Sequence, residues 1–293
     1  MEMEEEQQTM WWRKLGFYTN PFTIKPAPFD NTIFGQDSLL EDLYYKIPAG
    51  TMSFIEGSLG AGKTTILKNL ISKFRGHGNV IYFSCNRIDT ELNIEELLKG
   101  KYGFWGRLFG MMPKDMIVLL DESQQLSSVN TERIKYFFDQ GNIKSVVFTG
   151  TNYSNTNLHD SIKERIGKDG LFKIKELSDE QAVTFVRNRI GNSTVLNDEL
   201  IKKLWHVSGK NPRRLLQRLD RVFRYAIENM ESEIKEDHLI KIFEEMKTKT
   251  ETTAPQEAAK KIEKIAPAKE ENSEEESPKE VKKPGKKKKK SRR

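Results

Sequence analysis

Apolar positions along this chain fall into short runs that alternate between two periods. TMSFIE (Thr51–Glu56), NVIYFS (Asn79–Ser84), MIVLLD (Met116–Asp121), SVVFTG (Ser145–Gly150) and LFKIKEL (Leu171–Leu177) read as strands. MIVLLD is nearly continuous in apolar residues, the pattern of a strand buried on both faces. Between these runs, Thr64–Phe74, Asn93–Leu98, Gly103–Met111, Thr131–Asp139 and His159–Arg165 carry helical periodicity. Strand and helix in alternation predict an α/β fold, a parallel sheet with helices on both faces. From Ser178 the pattern turns to helices alone. Ser178 with Gln181 three residues later is a capping signature that opens SDEQAVTFVRNRI. Further helices are predicted over Asp198–Val207, Pro212–Asn229 and Lys235–Met246, with Gly209 and Pro212 marking one start. Beyond Thr248 the chain is Lys, Glu, Ala, Pro and Thr without periodicity, which predicts disorder.

Composition sharpens this division. The apolar content of 36% is concentrated between about Trp11 and Met246, and the stretch after it has too few large apolar residues to build a core. Charge is uneven as well. Lys279–Arg293 holds ten basic residues and one acid, so its net +9 exceeds the formal +6 of the whole chain and leaves −3 for the rest. The basic pI therefore belongs to the tail, and the overall charge does not imply a basic nucleic-acid-binding body. Cys85 is the one cysteine, so no intramolecular disulfide forms; within an apolar run it reads as a small buried hydrophobe. The N-terminal MEMEEEQQ lacks the basic-then-apolar pattern of a signal peptide, and no run approaches the ~20 apolar residues that span a bilayer. A cytoplasmic protein without a membrane segment is the expectation.

The candidate chemistry is concentrated after the first strand. GSLGAGKT, Gly57 to Thr64, matches G-x-x-x-x-G-K-[ST] in full. Gly57, Ser58, Leu59, Gly60, Ala61 and Gly62 form the loop, followed by Lys63, Thr64 and Thr65. Small residues let such a loop wrap a polyphosphate with its N–H groups pointing inward. Lys63 would reach the β/γ-phosphates and the Thr64 hydroxyl would ligate Mg²⁺. A strand before and a helix after place the phosphates at a helix N-terminus, where the orphan amides favour an anion.

Binding alone does not imply hydrolysis. MIVLLDES ends an apolar strand in two acids, beside the phosphate loop in a parallel sheet. There Asp121 would hold the Mg²⁺ shell, and Glu122 would orient and deprotonate an attacking water. Groups that neutralise γ-phosphate charge are also needed. The candidates are Thr151 and Asn152 past the fourth strand, Arg165 as a finger for a neighbouring subunit, and Arg213 or Arg214 in GKNPRRLL.

These pieces together resemble the AAA+ ATPases, within them the archaeal and eukaryotic origin-recognition and replication-initiator ATPases and the bacterial general secretion pathway protein A. The resemblance covers about Leu15 to Met246. It rests on NPFTIKP with FGQDSLL, GSLGAGKTT, VLLDES, FTGTN, LHDSIKERI, LSDEQA and SGKNPRRLL, in that order. It implies an ATP- and Mg²⁺-dependent ATPase, with Asn152 as sensor 1 and Thr151 as the fallback, Arg165 as the finger acting in trans, and Arg213 as the sensor 2 arginine with Arg214 close behind. Together with composition it divides the chain into four regions: an acidic extension over 1–14, an AAA+ P-loop nucleotide-binding domain over 15–177, an α-helical lid over 178–247, and a disordered tail over 248–293, basic at its end. Two departures stand out. Gln36 lies where initiator relatives typically carry arginine, and the sequence after Met246 is not expected to form their winged helix.

The function implied is an ATP-hydrolysing machine that self-associates through its nucleotide site and acts in DNA transactions such as replication initiation. Lys279–Arg293 would contact DNA phosphates nonspecifically. The rival reading is a nucleotide-gated adaptor that recruits an unknown protein partner, with slow hydrolysis. The segment Lys101–Met112, with Phe104, Trp105 and Phe109 among basic residues, is a candidate partner surface.

Overall fold

A computed structural model describes residues 10–24, 32–74, 79–86, 92–102, 111–191, 193–231 and 233–239, all within one compact unit. The tail, residues 103–110 of the helix predicted over Gly103–Met111, and with them the aromatics Phe104, Trp105 and Phe109, lie outside the described residues.

Five parallel strands form the sheet: β1 (Met52–Glu56), β2 (Val80–Ser84), β3 (Met116–Asp121), β4 (Ile143–Gly150) and β5 (Leu171–Lys173). Their order is β2-β3-β4-β1-β5. Alternation along the strands sorts side chains to two cores. Val118, Leu120, Val146 and Phe148 join one cluster with α4 (Ile94–Lys99), α5 (Ser128–Asp139) and α6 (Asp160–Ile166). Ile117, Leu119, Val147 and Ile55 join the other, against α2 (Asp37–Lys46) and α3 (Lys63–Phe74). Asp121 follows Ile117 and Leu119 by the same parity and therefore opens onto the α3 side.

Element limits depart from the sequence pattern where polar groups intervene. β4 begins two residues before Ser145, because Ile143 is buried and Lys144 points outward. β5 is shorter than Leu171–Leu177. Ile174 N still donates to Glu56 O at 2.9 Å, but the main chain of Lys175 is taken by the Gln36 side chain (2.7 and 3.1 Å). Ser127 caps α5 and starts it three residues before Thr131.

The helical segment comprises α7 (Asp179–Ile190), α8 (Asp198–Val207) and α9 (Pro212–Glu228). Ser178 and Gln181 form the full capping box, and Asn197 and Asn211 cap the other two helices. Residues 236–239 are helical, within the stretch predicted from Lys235. The folded part begins before residue 15. α1 (Trp11–Lys14) buries Trp11 to 3% exposure, its ring 5.7 Å from Phe223 of α9 and 5.8 Å from Phe22. Asp220 of α9 accepts from Trp11 Nε1 and Asn20 Nδ2 (3.3 and 2.6 Å).

Candidate nucleotide-binding site

The ends of β2 and β3 and the start of α3 line a cavity of about 620 Å³, roofed by residues of α7 and α9. Its floor is the loop from Ser58 to Thr65. Gly60 and Gly62 take φ of +86° and +108°, which L side chains rarely adopt. At Gly60 space matters too. A Cβ there would lie 2.6 Å from Arg213 Cβ and 2.8 Å from Asn211 Oδ1.

Two buried charges meet at this floor. Lys63, 4% exposed, donates to the carbonyls of Gly57 and Ser58 (2.9 and 3.3 Å) and faces Glu122 Oε1 at 3.5 Å. Asp121, 3% exposed, accepts from four donors. Thr64 Oγ1 at 2.7 Å and Tyr82 OH at 3.2 Å reach Oδ2, while Thr149 Oγ1 at 2.6 Å and Glu122 N at 3.1 Å reach Oδ1. Buried charge persists only when satisfied in this way. The geometry thus fixes both groups before any ligand arrives.

Glu122 breaks the strand. Regular alternation would turn it to the face opposite Asp121, but its φ of 53° and ψ of 46° carry it toward Lys63. Its other oxygen accepts from Gln124 Nε2 at 2.5 Å. A non-glycine residue in the left-handed region costs about 1–2 kcal/mol, and such strain concentrates at functional sites. Behind the pair, burial first and then the charges of Asp121 and Glu122 push the Cys85 thiol up to about 12. It therefore stays protonated at neutral pH and is inert.

The donor set fits magnesium. Thr64 and Asp121 offer adjacent hard oxygens, and Mg²⁺ is usually held by one or two protein oxygens together with substrate phosphates. Among the described residues no cluster of three metal-ligating side chains occurs, so a self-contained protein cage is not built here.

The other candidate residues are spread more widely. Arg213 lines the cavity and packs on Gly60. Asn152 is exposed, does not line the cavity, and accepts from Ser154 N at 2.9 Å. Thr151 is also exposed. Arg165 lies outside the cavity, paired with Asp139 at 2.8 Å and set 5.7 Å over the Phe138 ring. Gln36 is buried and braces Lys175. Sequence reasoning missed Thr149, Tyr82, Gln124 and Asn211. A signal existed for Thr149, a polar residue ending an otherwise apolar run with the parity of Val147. Asn211 donates to Leu59 O at 2.9 Å while its Oδ1 caps α9, tying that helix to the phosphate loop.

Comparison with known proteins resolves what fold this site belongs to. Residues 50–178 match the family model of the AAA domain. This segment is an AAA domain. The AAA domain here carries its phosphate loop, Asp121 and Glu122 inside the matched range. The solved Orc1 of Aeropyrum pernix in complex with DNA superimposes with a TM-score of 0.60 at 16% identity, over 78% of this chain and 69% of that one. Cdc6p from Pyrobaculum aerophilum gives 0.56 at 15%, over 73% and 67%, and a Thermotoga maritima RuvB variant gives 0.57 at 14%, over 76% and 73%. At these identities the likeness is one of fold. The cell division ATP-binding protein FtsE of Haemophilus influenzae is 30% identical over 84 residues, 29% of this chain. The match spans 36% of that protein's length. Among the described residues, no helix is long and apolar enough to cross a membrane.

Proposed function

We propose that this protein hydrolyses ATP at the AAA domain. The observation that carries the reading is the meeting of two pairs on one floor: the Thr64 hydroxyl donating to Asp121, and Lys63 facing Glu122. A triphosphate laid along Ser58–Thr65 would meet backbone N–H groups and the Lys63 ammonium, which neutralise its charge. Mg²⁺ held by Thr64 and Asp121 would supply further neutralisation of the phosphate oxygens. Glu122 would take the proton of the attacking water. Arg213, carried to the cavity by the start of α9, adds positive charge from the lid side. Asn152 as sensor 1 would have to approach from its exposed turn.

Arg165 does not serve this chain's own cavity, which supports a role at the site of a neighbouring subunit. Self-association through the nucleotide site and action on DNA, with Lys279–Arg293 as one contact, complete the proposal. The adaptor reading is favoured by one observation: both Glu122 oxygens are occupied, by Lys63 and by Gln124. A base so engaged would turn over slowly until released.

Steady-state and single-turnover ATPase assays on Glu122→Gln separate the two. Loss of a general base is expected to lower kcat about 10²–10⁴-fold, with nucleotide binding retained. A wild type no faster than Glu122→Gln would leave the adaptor reading standing.

A further inference from the structure

Basic residues are not distributed evenly by type. The chain has fifteen arginines and thirty-four lysines, yet α9 alone carries five arginines and no lysine. Its inner face is apolar: Leu215, Leu216, Leu219, Val222, Phe223 and Ala226 are buried. The opposite face, from Arg213 through Arg214, Gln217 and Arg218 to Arg221, contains no carboxylate. Arg214, Arg218 and Arg221 follow one another at i, i+4 and i+7, so they share one line along the helix. Asp220 lies on the flank, held by Trp11, Asn20 and Arg224. Among the described residues neither Arg214 nor Arg221 forms an ion pair.

We infer that the outer face of α9, from Arg214 to Arg221, is a docking surface for the phosphodiester backbone of a nucleic acid. This rests on the reading that the protein acts on nucleic acid, and it places a contact on the folded body rather than on the tail. Guanidinium forks match phosphate oxygens two bonds at a time, which an ammonium does not. The seven steps from Arg214 to Arg221 rise about 10 Å along the helix, a length of duplex axis over which one strand presents about three phosphates. Burial first, and then the like charges of Arg214 and Arg221, pull the Arg218 guanidinium below its usual range. A polyanion laid across the line relieves that crowding. Gln217, exposed in the middle of the face, adds a neutral donor and acceptor to phosphate oxygens. The helix also begins at the nucleotide cavity, through Arg213 and Asn211, so grip on a backbone and nucleotide binding share one rigid element.

The test uses the full chain with fluorescent duplex DNA and duplex RNA, titrated across salt with and without ATP. Two variants are compared with wild type: Arg221→Gln with Arg218→Gln, and Gln217→Glu. The second removes no packing and places an acid in the line. For the double variant, the slope of log affinity against log salt is expected to become shallower by about 0.9 per lost contact on DNA. Gln217→Glu is expected to weaken binding several-fold while ATPase activity stays at the wild-type rate. Better binding of one duplex than the other identifies which nucleic acid is the ligand. Unchanged affinity and slope in both variants, with binding abolished by deletion of Lys279–Arg293, overturn the inference and leave the nucleic-acid reading intact. A wild type that binds neither duplex overturns both. Variants that alter self-association, measured by sizing, while leaving duplex binding unchanged assign the face to a second copy and overturn the inference.

Discussion

Glu122 is where the backbone departs furthest from its strand, and its neighbours decide what the departure achieves. Lys63 and Gln124 each hold one of its oxygens, at 3.5 and 2.5 Å. Gln124 is itself wedged: its Oε1 is buried without a hydrogen-bond partner among the described residues, and a Cβ on Gly150 would meet that atom at 3.0 Å. Gln124 would therefore position Glu122 in its proposed role as the base. Gln124→Ala is expected to change kcat severalfold with little change in nucleotide affinity, whereas Gln124→Asn, too short to reach, should behave like alanine. An unchanged kcat in both would remove it from the mechanism. Thr149 presents a different case. Its hydroxyl donates to Asp121 and accepts from Glu122 N, joining the two acids through β4. Thr149→Val keeps the shape but leaves Asp121 short of a donor, an expected loss of about 1–3 kcal/mol in stability by thermal or denaturant unfolding. Asp121 and Glu122 were legible in the sequence as the polar end of an apolar run. Thr149 and Gln124 were not singled out, because their role depends on which strand pairs with β3 and how the chain turns after it.

At the scale of elements, the junction of α9 with the phosphate loop is the informative one. Asn211 does two things with one amide: it caps α9 at Arg214 N and donates to Leu59 O. Gly60 has no side chain, and that lets Arg213 approach. Any shift of the loop is therefore transmitted to the helix. Asn211→Ala removes both bonds and is expected to cost about 1 kcal/mol of stability from the lost cap. If the amide couples loop to helix, nucleotide affinity falls as well. Asn211→Ser keeps a capping oxygen but not the reach to Leu59, so it should restore stability and not affinity. A variant that recovers both would reduce Asn211 to a cap. The sequence showed the helix through Gly209 and Pro212, and its arginines through their spacing. It did not show the loop contact, which joins residues 152 positions apart. The short β5 makes the same point: no propensity ends it, but the Gln36 side chain claims the next peptide.

For the whole molecule, the outstanding residue is Arg165. It is half-exposed, and its pair with Asp139 is of the kind that contributes roughly 0–1 kcal/mol. If assembly brings Arg165 to a neighbour's phosphates, as proposed, their charge would displace so weak a pair. Arg165→Ala is expected to lose ATPase activity in the assembled protein. Mixing it with Glu122→Gln should restore part of that activity, since each then supplies what the other lacks. No recovery on mixing, with Arg165→Ala fully active alone, would confine Arg165 to its bond with Asp139.

The sequence by itself determined the fold class, the phosphate-loop motif, the acids at the end of β3 and the capping box that opens α7. Each of these is written in local periodicity or in a contiguous motif, where the physics acts over a few residues. Tertiary structure decided the rest. It set the strand order that puts β4 beside β3, the turn that swings Glu122 onto Lys63, and the burial of Trp11 against α9. It also brought Asn211 to the loop and held Arg165 away from it. Those outcomes depend on contacts between distant segments, and no window along the chain contains both partners.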